Sequence, residues 1–222
     1  MPWIKFPTWD RWGELTRFRI AIEAASAAEH SRWETLPIEN PAAVTIADPV
    51  DGSDFRCSLE AYKTALSSTH QLYSMLLGAY AGLIEEHGRS LIEYALSVKH
   101  VPRTAFQNIS LTNPADEAAE DYIRSMNVEF WGQRYLDLKE RSWNDVGGGK
   151  AGVVEAIALR NITSHGLRAI NTKAFNRMTA AGCDITKWPV GKDVTLNRPT
   201  FNECLQNLRA FGRVLSDIAA IL

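Results

Sequence analysis

Apolar residues along this chain recur at intervals of three and four, the period of a helix face, rather than in the strict alternation of a strand. Leu15, Phe18, Ile22 and Ala25 mark a first helix over Asp10 to Trp33, and Leu36-Pro37 ends it. The stretch Pro37 to Phe55 carries Pro37, Pro41, Pro49 and the acidic run Asp48 to Asp54, which predicts a long loop. This run misses the calcium-loop spacing, so it reads as a turn and helix cap. From Ser58 to about Lys99 the apolar stripe is broad (Leu59, Tyr62, Leu66, Leu72, Tyr73, Leu76, Leu77, Tyr80, Leu83, Ile84), as expected for a helix at the centre of a bundle. His87-Gly88 either divides that region or only weakens it.

Asn113-Pro114 supplies a start signal for a third helix running to about Arg141. Ser142 to Lys150, with Gly147-Gly148-Gly149, reads as a flexible connector. The next helix begins near Ala151, keeps its period through Val153, Val154, Ile157, Ala158 and Ile162, and is expected to finish at His165-Gly166. Leu167 to Ala181 reads as a further helix, and Gly182 to Pro199 as irregular chain or a short hairpin. Leu205, Leu208, Phe211, Leu215, Ile218 and Ile221 define a last helix over Phe201 to Leu222. The fold class expected is all-α, an antiparallel helical bundle with a long loop after the first helix. Its 222 residues suit a single domain, with a core over about 58–222 and an N-terminal helix and loop over 1–57.

Composition is that of an ordinary globular protein, with 45% hydrophobic and 23% charged residues, which sets aside disordered and collagen-like classes. No apolar run reaches membrane-helix length, and Met1-Pro2-Trp3-Ile4-Lys5 has no secretory layout, so a cytoplasmic protein without a membrane partner is expected. Cys57, Cys183 and Cys204 are scattered and read as inert thiols, and neither a metal nor a cofactor is implied. Charge is uneven. Residues 1–149 hold 14 Lys/Arg and 21 Asp/Glu, whereas residues 150–222 hold 10 and 5, so the C-terminal third suits an anionic ligand. Attraction between the two parts within one fold is the other reading of the same counts. Trp3, Trp9 and Trp12 read as packing onto the bundle, with docking of a partner as the alternative.

Gly147-Gly148-Gly149-Lys150 is not a phosphate loop. Asn144 stands at the first glycine position, Ala151 replaces the magnesium-binding hydroxyl, and no strand precedes it. Lys150 and the next helix's N-terminal amides remain an anion site in principle. More chemistry lies in Arg160-Asn161-Ile162-Thr163-Ser164-His165-Gly166. On a helix Asn161 and His165 lie within roughly 40° of each other, and Arg160 is displaced from His165 by roughly 140°, so a helix ending at Gly166 is what lets the imidazole turn toward the guanidinium. Arg160 is suited to grip phosphate oxygens as charge builds. A histidine, with an unperturbed pKa near 6.5, can move a proton at neutral pH, which suits His165 to that task, and Asn161 is suited to orient the imidazole or bond a phosphate. This set fits metal-independent RNA cleavage by the RNA's own 2′-hydroxyl. Because one chain offers a single such His where an acid and a base are both wanted, a twofold dimer with a composite site is expected. The structural alternative is a surface Arg and a capping His. Arg168, Lys173 and Arg177 are candidates to line an RNA path, or else a solvated face.

The string Leu159 to Gly166 resembles the R-x(4-6)-H signature, often R-N-x-x-x-H, of the HEPN superfamily of helical, dimeric proteins. The resemblance implies catalytic roles for Arg160, Asn161 and His165 in a cleft between protomers. It also implies endoribonuclease activity in a toxin–antitoxin or phage-defence setting, with a cognate antitoxin protein as a possible partner. Tyr80-Ala81-Gly82-Leu83-Ile84-Glu85 is similar to an upstream aromatic-Glu-Gly stretch of some HEPN groups, with Ala81 at the Glu position. Glu85 either supplies that carboxylate or the chain does without it. The alternative function is a catalytically inactive HEPN-like module that binds RNA, a nucleotide or a protein partner.

Overall fold

The computed structural model describes residues 7–47, 56–106, 108–164 and 166–221. Among them are eight α-helices: α1 (Thr8–Thr35), α2 (Leu59–Ser67), α3 (His70–Ser97), α4 (Ala115–Ser125), α5 (Val128–Asp137), α6 (Gly149–Ser164), α7 (Thr172–Ala181) and α8 (Arg198–Ile221). The only strands among the described residues, β1 (Thr45–Ala47) and β2 (Arg56–Ser58), pair antiparallel with Ile46 opposite Cys57. An all-α bundle, as the apolar period implies, is therefore the architecture. No helix among the described residues is long and apolar enough to cross a membrane.

Helices α3, α6 and α8 pack on one another and form the centre. Helix α3 buries an almost continuous face from Tyr73 to Ala95. Every residue of α6 from Gly152 to Leu159 is buried, including the carboxylate-bearing Glu155. Burying a single aliphatic or aromatic side chain contributes roughly 1.5–3 kcal/mol, so α6 is held along its whole middle. Around this centre α4 packs on α3 and α5 on α6, α7 lies on α6, and α1 runs along α3. Pairs such as Thr16–Tyr80 and Arg11–Glu86 show that α1 and α3 are antiparallel. α3 and α6 are antiparallel as well, since Ser164 lies beside Gly78 and Arg160 beside Glu85.

Several boundaries differ from the pattern-based expectation, each for a local reason. The long helical region after Ser58 divides at Ser68, whose backbone is extended, and not at His87-Gly88. Ser67, Ser68 and Thr69 offer three consecutive hydroxyls that compete for backbone groups, and Ser67 Oγ already donates to the Thr64 carbonyl at 3.0 Å. Gly88 instead admits a neighbour, because a Cβ there would stand 2.8 Å from the Trp131 ring. The third helix is likewise two, α4 and α5, separated by the extended pair Met126 and Asn127. Finally, Gly147 to Gly149 is not a flexible connector. Gly148 and Gly149 take positive φ angles of 79° and 60°, and a Cβ at Gly148 would meet Asn207 Oδ1 at 2.1 Å, so this turn is seated against α8.

The end of α6 follows expectation, whereas the start of α7 does not. Gly166 adopts φ 66° just beyond α6. Asn171 caps α7 by accepting from the Ala174 amide at 2.8 Å, so that helix starts later than Leu167. Residues 168–170 are engaged instead with 191–194, through Ile170 N to Lys192 O at 2.9 Å and Val194 N to Arg168 O at 2.7 Å. The chain from 182 to 197 is irregular and anchored by Trp188, whose indole donates to Glu155 at 2.7 Å. Burial pushes the thiols of Cys183 and Cys204 up to about 11 and about 12, with the Glu155 charge adding to the effect, so both are unreactive.

His87 joins three helices. Ser216 Oγ donates its one proton to the Gly212 carbonyl (2.9 Å), so it accepts from His87 Nε2 (2.8 Å) and from the Trp9 indole (3.2 Å). That leaves His87 Nδ1 to accept from Thr8 Oγ1 at 3.1 Å. Burial holds this imidazole down at about 4, well below its ordinary 6.5. The folded state thus keeps His87 neutral where the unfolded chain protonates it. Stability is complete above pH 6.5 and falls as the pH drops from about 6.5 to about 4, by roughly 3 kcal/mol in all. Urea denaturation measured across that range is expected to show this loss, and His87→Gln is expected to flatten it.

Candidate functional site

The buried run of α6 ends at Leu159, and Arg160 and Asn161 are the first polar side chains to emerge from it. They open onto a cleft of about 660 Å³ walled by α3, α4, the start of α5 and α6. Seven charged side chains line it: Glu85, Glu86 and Glu120 against Arg89, Arg124, Arg160 and Arg177.

Arg160 reaches across to α3, where one terminal nitrogen donates to Glu85 Oε1. Its side chain is four-fifths buried, and its Nε is enclosed without a hydrogen-bond partner among the described residues. A buried N–H left without an acceptor costs about 1–3 kcal/mol, so Glu85 satisfies only part of the guanidinium. Donors remain for a second oxygen. Glu85 is the carboxylate of the Tyr80 to Glu85 stretch, and the antiparallel pairing of α3 with α6 brings it to Arg160. Asn161 lines the same cleft and makes no side-chain hydrogen bond among the described residues. His165 lies outside the described residues.

The other basic candidates separate. Arg177, from α7, lines the cleft, but its Nε and terminal nitrogen both engage Glu129, at 2.9 and 2.6 Å. With the two side chains only 16% and 10% exposed, this is a buried bidentate pair that ties α7 to α5. Lys150 sits at the opposite end of α6, about 15 Å along the axis from Arg160. Arg168 is exposed in the loop after α6, and Lys173 is exposed in the first turn of α7. Neither they nor Lys150 line the cleft. Its remaining arginines also have partners, Arg124 with Glu120 and Arg89 with Glu93 at 3.8 Å.

Sequence reasoning passed over Glu129. No spacing rule links it to Arg177, which is 48 positions away, and only the fold brings them together. It also passed over Arg17, Arg209 and Arg213, which line a separate groove of about 610 Å³. The last two were legible as an exposed pair one helical turn apart on the final helix.

No protein-family model, no curated protein and no solved structure matches this chain. The HEPN resemblance therefore rests on the sequence motif Leu159 to Gly166 alone.

The two ion pairs of the cleft differ in what they hold. Removing the carboxylate in Glu129→Ala leaves a buried guanidinium uncompensated and is expected to lower the unfolding free energy by about 3 kcal/mol. Glu85→Ala acts at a more exposed pair, with Glu85 35% accessible, and is expected to cost under about 1 kcal/mol. Urea titration of the two variants beside the parent chain measures the difference.

Proposed function

We propose that the chain is a HEPN-like, metal-independent endoribonuclease acting at a site shared between two copies, in a toxin–antitoxin or phage-defence setting. The observation that carries this reading is Arg160, delivered by a buried helix into a polar cleft and held by Glu85 with donors to spare. In this reading the RNA 2′-hydroxyl attacks the adjacent phosphorus as an imidazole removes its proton. The bond from phosphorus to the 5′-oxygen breaks, and that oxygen receives a proton as it leaves. The products are a 2′,3′-cyclic phosphate and a free 5′-hydroxyl. Arg160 stabilises the charge that builds on the non-bridging oxygens, and Asn161 orients the imidazole or bonds the phosphate. His165 moves the proton. A second copy supplies the other proton-transfer group, since one chain carries a single such His in the motif.

A second reading is favoured by the pairing of every arginine in the cleft with a carboxylate, which leaves little net positive charge there. It is a catalytically inactive HEPN-like module that uses the same cleft to bind RNA, a nucleotide or a protein partner. A cognate antitoxin is the partner implied by the first reading.

Purified protein incubated with RNA in excess chelator separates the two readings. Cleavage with cyclic phosphate ends is expected, reduced at least about 100-fold in Arg160→Ala and in His165→Ala. Cleavage that stops on chelation, or intact RNA together with unchanged growth on expression, rules out the nuclease reading.

A further inference from the structure

Helices α1 and α8 run antiparallel, as the contacts of Trp9 with Ser216 and of Arg19 with Asn202 show. Between them lies a groove of about 610 Å³ that shares no residue with the Arg160 cleft. Arg17 stands on one wall, and Arg209 and Arg213 stand on the other. All three are exposed, and among the described residues none of them pairs with a carboxylate. In this they differ from the arginines of the cleft. Gathering three guanidinium groups that make no ion pair among the described residues raises the local potential and draws polyanions.

We propose that this groove binds a single strand of nucleic acid. Arg209 and Arg213 are one helical turn apart, about 6 Å along α8, a separation suited to successive phosphates of an extended strand. Arg17 meets the strand from the facing wall. Gly13 keeps the floor low, for the nearest atom to a Cβ built there is Arg17 Nη1 at 3.5 Å. Trp9, half-buried, lines the groove with its indole nitrogen tied to Ser216, so its ring is fixed in orientation and is the aromatic group there against which a base would stack. Guanidinium groups along a concave groove with an aromatic ring lining it are the combination by which single strands are held without sequence preference. A purely acidic peptide would use the arginines and leave the indole idle. The proposal does not depend on the cleavage reading, because it concerns binding on other helices.

The test is fluorescence anisotropy of the full chain with a labelled 2′-O-methyl oligouridylate, which has no free 2′-hydroxyl and is not cut by the proposed chemistry. Arg209→Gln with Arg213→Gln is expected to raise Kd at least about tenfold and to lower the slope of log K against log salt by roughly 0.7 per lost contact. Adding Arg17→Gln is expected to extend both changes. Arg32→Gln and Arg141→Gln, at arginines that line neither cleft, are expected to leave Kd within about twofold. The proposal is overturned if the Arg209/Arg213 pair of substitutions leaves Kd and slope unchanged, or if Arg160→Ala alone abolishes binding. It is overturned too if polyglutamate displaces the strand as well as unlabelled oligouridylate does at equal charge, which would mark the groove as a docking place for acidic protein.

Discussion

The burial of α6 on all sides is the constraint from which the rest of the molecule follows. A helix with no exposed residue from Gly152 to Leu159 needs neighbours around its whole circumference, and α3, α5, α7 and α8 provide them. Those neighbours fix its axial position, so its polar end has a fixed address. Arg160 emerges opposite Glu85 because α3 runs the other way. The price of enclosing Glu155 in the same helix is offset by the Trp188 indole, which brings the irregular chain from 182 to 197 down onto the core.

Aromatic rings set the spacing between the helices, and glycines admit them. Trp131 lies over Gly88, Phe211 over Gly132, and the Trp9 ring approaches Gly212. In each case a methyl group would fall about 3 Å or less from a ring atom, inside the contact distance of carbon atoms, so these helices sit closer than side-chain packing would otherwise allow. The interlock is also where sequence and structure part company. A glycine such as Gly88 within a helical pattern weakens a helix considered alone. Its packing role depends on Trp131, 43 positions later, which no local rule connects to it.

What was legible came from period and punctuation. The 3.6-residue spacing identified α1, α3, α6 and α8, and Gly166 and Asn113-Pro114 marked real boundaries. Period fails where two helices join through extended residues without glycine or proline, as at Ser68 and at Met126-Asn127, because apolar residues continue on both sides of the break. The motif Arg160-Asn161 was readable as a candidate because Asn follows Arg, a His stands four residues after Asn161, and Gly166 marks the helix end. Its surroundings were not. Glu85 was noticed but had no assigned neighbour, and Arg177 read as a surface cation although its side chain is committed to Glu129. Ion pairs between distant segments leave no trace in local spacing, and neither does the absence of such pairs at Arg17, Arg209 and Arg213.

The bundle is unevenly anchored. Along the 28 residues of α1 only Thr8 and Trp12 are buried, both in its first turns, and α2 buries Leu59 alone. The outer half of α1 and the whole of α2 lean on each other through Trp33 against Tyr62 and through the ion pair of Glu34 with Lys63 at 2.5 Å. This arm therefore has little to lose by fraying, and its opening free energy lies far below that of the core. Amide protons there exchange early while those of α3 and α6 stay protected, and a protease meets the arm first. The molecule is in effect a rigid block carrying a loosely attached outrigger, and a partner that grips the outrigger must offset the entropy of ordering it but leaves the block undisturbed.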